Sequence, residues 1–211
     1  MKKILIIICL LFITGCSDVR KLSYDDIINS IATRANKDNV YRTGYSYYLP
    51  RGMRVSDSTL YNESITDARY KYYLYVDIVS YYKKVTKDYT INSNALVSKK
   101  LEYDGKFGYV EVNLLKNDKY LVEIMYNYAK IEVIVDKSNL NEAMLSIINI
   151  LKSVEYNDSI IANLMGDDVL NFSEEEFNIF NTKGSESNYL TVDKDASKEE
   201  DTKIPDPDLI N

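Results

Sequence analysis

An alternating run at residues 70–82 constrains the fold of this chain more than any other sequence feature. One side of the run is apolar or aromatic, and charged residues and further tyrosines occupy the other. The first set is Tyr70, Tyr72, Leu74, Val76 and Ile78, and the second is Lys71, Tyr73, Tyr75 and Asp77. Because side chains of a β-strand point alternately to its two faces, this period of two predicts a half-buried strand.

Three more strand patterns follow, separated by short turn signals. Asp104-Gly105 precedes a strand with an apolar inner side and a mixed outer side. The inner set is Val110, Val112 and Leu114, and the outer set is Phe107, Tyr109, Glu111 and Asn113. After a turn at Asn117-Asp118, residues 120–126 and 129–135 predict a hairpin that breaks at Asn127-Tyr128, with one long bent strand as the alternative.

Helical patterns bracket these strands. Ser23 followed by Asp26 is a variant of the capping box, and apolar residues at helical spacing predict a helix over residues 23–35. A strand at residues 45–49 follows it. A second helix is predicted over residues 140–151, where Asn139 and Glu142 supply the capping signal and apolar residues repeat at i, i+3 and i+4. These patterns predict an α+β fold, in which an antiparallel sheet is flanked by an N-terminal and a C-terminal helix.

The N-terminus has the order of a secretory signal peptide. Lys2 and Lys3 precede ten apolar residues at positions 4–13, a run too short for a membrane span, which needs roughly 20. A buried hydrophobic helix is the alternative interpretation. The residues that come next, Ile13-Thr14-Gly15-Cys16, resemble the bacterial lipobox. The resemblance implies cleavage between Gly15 and Cys16 and a diacylglyceryl group on the Cys16 sulfur. The mature protein is then expected on the extracytoplasmic side of the cell membrane, held by its lipid.

Charge divides the chain into a body and a tail. The full chain has a net charge of −6. Removal of residues 1–15 takes away Lys2 and Lys3, which leaves 24 basic and 32 acidic side chains and a net charge of −8. Residues 173–211 hold 11 acids and 4 lysines, so the body is near −1. This balance argues against nucleic acid as a partner, and it predicts no extra attraction of the body to anionic lipids.

Five segments follow from these patterns. Residues 1–15 are the signal peptide, 16–22 a lipidated tether and 23–165 the α+β domain. Residues 166–181 are expected to be a weakly ordered extension, and the polar residues 182–211 a disordered acidic tail. Within the domain, the stretch from Gly44 to Met53, with Pro50-Arg51-Gly52, resembles the start of the PsbP/Mog1-like group. That resemblance covers residues 23–155. It implies a sheet fold used for binding partners and transfers no catalytic residue.

Catalytic and metal-binding patterns are weak in this sequence. The chain has no histidine, which excludes Ser-His-Asp and Cys-His catalysis. Of its two cysteines, Cys9 leaves with the signal peptide and Cys16 is lipidated, so no thiol or disulfide is expected in the mature protein. Ser98-Lys99-Lys100 is the one dense Ser-Lys candidate. Asp25-Asp26 and Asp167-Asp168 are neighbouring pairs that capping or solvation explains. A calcium-loop pattern that begins at Asp193 fails at Lys198 and Ile204. We therefore predict no enzyme activity, no cofactor and no metal.

Tyrosine is the one unusually frequent residue type, with 20 residues in the chain and 19 of them from Tyr24 to Tyr156. Tyrosine is a good strand former, which is a sufficient structural explanation. The functional interpretation concerns the outer sheet face, where tyrosines alternate with Asp77, Glu111 and Glu123. Tyrosine combines apolar area with a hydrogen-bonding tip, which suits interfaces. The candidate binding face consists of Tyr73, Tyr75, Tyr109 and Glu111.

Three hypotheses on function remain open. The first is a non-catalytic scaffolding module that binds another envelope protein. The second is a ligand-binding lipoprotein with a Tyr-lined pocket for a glycan or small molecule. The third is an acid-catalysed hydrolase, which needs two carboxylates across a cleft.

Overall fold

The computed structural model describes residues 19–86 and 88–166. The signal peptide, Cys16, Asp167-Asp168, the calcium-loop pattern, the extension after residue 166 and the acidic tail lie outside the described residues. The structure is α+β with a large antiparallel sheet, as predicted.

Two antiparallel sheets form the framework. The large sheet has seven strands in the order β3-β4-β5-β9-β8-β7-β6, and the small one has the order β1-β2-β10. The strands are β1 (Val40–Tyr41), β2 (Tyr45–Tyr47), β3 (Arg54–Ser58), β4 (Asn62–Thr66), β5 (Lys71–Val76), β6 (Val97–Tyr103), β7 (Lys106–Leu114), β8 (Lys119–Tyr126), β9 (Ala129–Asp136) and β10 (Glu155–Tyr156). The helices are α1 (Tyr24–Asn29), α2 (Ile78–Lys83), α3 (Leu140–Leu151) and α4 (Asp158–Met165).

Tight turns set the register of the central hairpins. Between β8 and β9, Asn127 and Tyr128 both have positive φ, at 51° and 61°. Two successive left-handed residues match the twist of an antiparallel pair, so the chain reverses in two residues. The predicted hairpin is therefore confirmed against the single bent strand. Asp104 and Gly105, at φ 52° and 69°, make the corresponding turn between β6 and β7.

Helix α3 covers one face of the large sheet. It spans the predicted residues and packs on β8 and β9, with Leu140, Met144, Ile147 and Leu151 fully buried. Helix α1 packs in turn on α3, so both predicted helices lie on this side of the sheet. The core between them consists of the inner residues of the strands, including Leu74, Val110, Val122, Ile131 and Val133.

Several predicted boundaries are wrong. The strand predicted over residues 70–82 ends at Val76, because the Asp77 side chain accepts a hydrogen bond from the Ser80 amide (2.8 Å) and starts α2. The first helix ends at Asn29 and continues only as a 3₁₀ turn, Ser30–Ala32. Leu114 is 60% exposed rather than inward-facing, because it ends its strand.

The two predicted helix caps have different outcomes. Ser23 and Asp26 form a full capping box, as predicted. Asn139 occupies the cap position of α3, but its side chain makes no capping hydrogen bond. Its amide Nδ2 instead donates to the Tyr70 hydroxyl (2.8 Å), which ties the helix start to β5.

A buried carboxylate joins the small sheet to the large one. Glu63 of β4 is 2% exposed and accepts from the hydroxyls of Tyr45 (2.8 Å) and Tyr47 (2.9 Å). Arg42 donates to the same carboxylate through Nη2 (2.8 Å). Three donors, one of them the cationic Arg42, offset the cost of burying this charge, so the network is structural.

Candidate binding face

The four residues of the candidate face lie on the side of the large sheet opposite α3. We call this side the tyrosine face and define it by Tyr73 and Tyr75 of β5, Tyr109 and Glu111 of β7, and the residues level with them. Tyr73 is level with Glu132, Glu123, Glu111 and Ser98 on successive strands. Tyr75 is level with Lys130, Met125, Tyr109 and Lys100. Asp77 does not join this pattern, because it caps α2.

A loop segment, rather than a helix, covers part of the tyrosine face. Tyr89 lies between α2 and β6, and its ring stacks on that of Tyr109 with centroids 4.3 Å apart and planes 1° from parallel. Tyr75, Tyr89, Tyr109 and Met125 form a second apolar cluster, in which each residue is at most 7% exposed. The structure therefore leaves Tyr73 and Glu111 partly accessible but buries Tyr75 and Tyr109.

Glu111 fastens this segment to the sheet. Its carboxylate accepts hydrogen bonds from the Tyr89 hydroxyl, from Asn92 Nδ2 (2.9 Å) and from Asn113 Nδ2 (2.8 Å). Partial burial acts to raise the pKa of Glu111, but the hydrogen bonds from Asn113, Tyr89 and Asn92 outweigh it and lower the pKa. Glu111 is therefore held as a carboxylate, and the covering segment depends on its charge.

The Ser-Lys candidate is divided between the two faces of β6. Ser98 lies on the tyrosine face, where its Oγ contacts the Tyr89 hydroxyl (2.7 Å) and accepts from the Asn92 amide (2.8 Å). Lys99 points to the other face and pairs with Asp25 of α1 (2.5 Å). Lys99 therefore cannot activate Ser98. Lys100 shares the tyrosine face with Ser98, but the hydrogen bonds of the Ser98 hydroxyl go to Tyr89 and Asn92. Of the carboxylate pair Asp25-Asp26, the first binds Lys99, and the second completes the capping box of α1 by accepting from the Ser23 backbone amide (3.3 Å).

A row of three glutamates crosses the tyrosine face, and the sequence analysis missed it as a group. Glu111, Glu123 and Glu132 occupy directly opposed positions on β7, β8 and β9. Glu132 is 4% exposed and pairs with Lys130 (2.6 Å), while the Tyr109 hydroxyl donates to Glu123. Burial, together with the neighbouring Glu132, raises the pKa of Glu123 against the opposing effects of Lys130 and the Tyr109 hydroxyl. Among the described residues, no group of three or more potential ligands has the arrangement of a metal site.

A pocket of about 190 Å³ opens beside the covering segment. Tyr89, Phe107, Tyr109 and Met125 supply its aromatic and apolar lining, and Lys100 supplies a cation. Asp88 and Glu102 also line it, whereas Glu123 and Glu132 do not. This composition suits one compact group that stacks on a ring and accepts from, or pairs with, an ammonium. Phe107 and Tyr109 could be assigned to this face from strand alternation, but Tyr89, Lys100 and Met125 were missed.

A second pocket, of about 220 Å³, lies at the start of α3. The Pro50-Arg51-Gly52-Met53 stretch forms one wall as a tight turn, closed by the Met53 amide on the Pro50 carbonyl (3.2 Å) with Gly52 at φ 87°. Arg69, Tyr70 and Glu142 line the opposite side. The lining is mixed in charge, because Asp67 and Glu142 balance Arg51 and Arg69, and Glu142 pairs with Arg69 (3.2 Å).

Among the described residues, no helix combines the length and apolarity that a membrane crossing requires. Comparison with family models, curated proteins and solved structures finds no match to this chain. The lipobox and the PsbP/Mog1-like resemblance therefore stay predictions from sequence.

Proposed function

We propose that this chain is an extracytoplasmic lipoprotein, anchored through Cys16, whose tyrosine face binds another protein of the cell envelope. The observation that carries the binding role is the small pocket on this face. Ligand pockets generally measure 300–1,000 Å³. At about 190 Å³, the pocket is better matched to one inserted side chain of a partner than to a glycan.

The surroundings of the pocket support a protein partner. Tyrosine and methionine are enriched in the cores of protein interfaces, and charged residues at the rim set orientation. Phe107 and Tyr109 supply such a centre, while Lys100, Asp88 and Glu102 surround it with both signs of charge. A side chain with an apolar body and an acidic or amide tip would satisfy both parts of the pocket.

A small molecule with one stacking ring is the second candidate. The same aromatic walls favour it, because tyrosine rings also stack on sugars and other flat ligands. The pocket could hold one such ring but leaves little room for a second. The mass of the species that crosslinks to the chain in cells distinguishes a partner protein from a small ligand.

Photo-crosslinking in intact cells tests the proposal. A photoreactive residue at Lys100, on the pocket rim, should yield an adduct of defined mass, and one at Tyr41 should not. Tyr41 is 67% exposed but belongs to the small sheet, so it controls for exposure. The adduct should be lost in Phe107→Ala, which removes a pocket wall, and retained in Tyr103→Ala on the same hairpin. Equal adducts from Lys100 and Tyr41, or an adduct indifferent to Phe107→Ala, would contradict the proposal.

A further inference from the structure

The first described residues lie at one end of the large sheet. The 3₁₀ turn Val19–Lys21 is fixed to the first turn of α3, because Asn141 Nδ2 donates to the carbonyls of Val19 (3.2 Å) and Leu22 (2.8 Å). Arg20 adds a hydrogen bond from Nε to Glu142 (3.2 Å). The start of α3 follows β9, so this turn sits at the end of the sheet where β9 finishes and β5 begins.

The distance from this end to Cys16 is short. Val19 is three positions after Cys16, and an extended chain covers at most about 3.6 Å per residue, or about 11 Å in all. Strand β7, by contrast, has nine residues and extends about 27 Å from one end of the sheet to the other. A lipid on Cys16 therefore keeps one end of the sheet close to a bilayer, while the opposite end can lie up to about 27 Å farther away.

Exposed cations collect at the near end. We call it the anchor end and define it by Arg20, Lys21, Arg51, Arg69 and Lys137, all of which are exposed. The turns at residues 67–70 and 137–139 lie at the same end, while the turns at 59–62 and 104–105 lie at the other.

Three of the acids at the anchor end are engaged within the protein, whereas Asp118 of the turn between β7 and β8 is exposed beside Lys116. Glu142 accepts from both Arg20 and Arg69 (3.2 Å each), so one carboxylate is shared between two guanidinium groups. Asp67 accepts from the Tyr72 hydroxyl (2.9 Å) and from two backbone amides of its turn. Asp136 pairs with Lys119 (2.6 Å). With Lys116 and Lys119 of the β7–β8 turn, seven cations face four carboxylates, so the charge balance among these groups at this end is basic, although the chain as a whole has a net charge of −6.

We infer that the anchor end is a membrane-docking surface that rests on anionic phospholipid headgroups, so that the strands of the large sheet extend away from the bilayer. The inference rests on the proposed lipid anchor at Cys16. Two independent observations meet at this surface: the short reach from Val19 to the lipidated residue, and the collection of basic side chains. Basic groups within a Debye length of an anionic leaflet are attracted to it, so they orient a domain that the lipid only tethers.

A vesicle experiment tests the orientation without relying on lipidation in cells. Cys16 is the only thiol of residues 16–211, so the mature chain can be coupled to a maleimide lipid in vesicles containing phosphatidylglycerol. The chain has no tryptophan, so a single introduced one is a clean reporter. The near reporters are Ala68→Trp and Ser138→Trp, and the far reporters are Leu60→Trp and Tyr103→Trp, all at exposed positions. Two reporters at each end keep the comparison valid if one variant does not fold.

Headgroup-labelled nitroxide lipids should quench both near reporters severalfold more than both far ones. Equal quenching at the two ends, or stronger quenching of the far reporters, would overturn the inference. Reversing charge with Lys21→Glu and Arg51→Glu should reduce quenching of the Ala68 reporter, whereas Lys100→Glu with Lys106→Glu should leave it unchanged. An unchanged signal in the first double variant would contradict the electrostatic contribution. Because coupling supplies the anchor, failure of lipidation in cells has no effect on this result.

Discussion

The ring of Tyr89 lies flat on the ring of Tyr109, with centroids 4.3 Å apart, and this contact joins a loop to β7, the strand next to one edge of the large sheet. The two residues are 20 positions apart, and their hydroxyls donate to different glutamates, Glu111 and Glu123. The same pair of tyrosines thus covers part of the apolar area of the tyrosine face and donates to two of its three glutamates. Loss of the Tyr89 ring should therefore lower the stability of the protein and expose the part of the tyrosine face that this ring covers.

Tyr89→Ala should lower the free energy of unfolding by about 2 kcal/mol, because it removes a buried ring, a stacked pair and a hydrogen bond to a carboxylate. Tyr89→Phe keeps the ring and should cost about 1 kcal/mol. Urea denaturation measures both values, and hydrogen exchange of residues 88–96 should rise more in the alanine variant. Equal losses in the two variants would show that stacking contributes nothing.

Glu111→Gln should destabilise the protein at neutral pH by about 1 kcal/mol, because three donors lose a charged acceptor at a partly exposed site. Since the folded pKa of Glu111 lies below its ordinary 4.5, its stabilising effect is present above that value and is lost as pH falls through the folded pKa. Urea midpoints of the variant and the parent should therefore converge in acid. Glu102→Gln, at an exposed glutamate of β6, is the matched control. A constant difference at every pH would contradict the assigned role.

Glu123→Gln should change the free energy of unfolding at neutral pH in the opposite direction from Glu111→Gln. The folded pKa of Glu123 lies above its ordinary 4.5, so the stabilising effect of its protonated form is present below 4.5 and is lost as pH rises through the folded pKa. A neutral amide also removes a like-charge contact with Glu132, worth about 0.5–1 kcal/mol. We expect the variant to be the more stable protein at neutral pH and to lose this advantage in acid. Destabilisation at neutral pH would mean that the carboxylate is needed there as an anion.

The sequence predicted the arrangement of the sheet where a period of two is clear. Tyr73, Tyr75, Tyr109 and Glu111 were assigned to one face from alternation alone, and the register of β5, β9, β8 and β7 places them together. Helix α3 was predicted with its correct bounds, because its apolar stripe is continuous. These elements depend on local periodicity, which a sequence displays directly.

Strands β3 and β4 were missed because their patterns are weak. Their sequences, RVSDS and NESIT, contain few apolar residues, and β3 is an exposed edge strand. A register shift between Val55 and Asp57 also breaks its alternation. Such an edge resists pairing with other chains, but its polar composition removes the usual signal of a strand.

The composition of the candidate site depended on contacts between distant residues. Residues 88–96 have no period, and only the folded structure brings Tyr89 onto Tyr109. The glutamate row was detectable in principle, because Glu111, Glu123 and Glu132 share the outer parity of three successive strands. A search confined to adjacent carboxylates, such as Asp25-Asp26, overlooks groups assembled across strands. Pairing register was the missing information.

The lipid anchor is tested most directly by a pair of cysteine variants. Cys16→Ser should abolish incorporation of labelled fatty acid and release the protein from washed membranes, because two acyl chains are needed for stable anchoring. Cys9→Ser should change neither result, since Cys9 lies within the apolar run of the predicted signal peptide and is expected to be removed with it. Retention of Cys16→Ser in washed membranes at parental levels, with fatty acid still incorporated, would exclude Cys16 as the anchor. The orientation inferred for the large sheet would then have no basis, because it depends on the lipid at Cys16. The pocket beside Tyr89 does not depend on this lipid and would still be available to a partner.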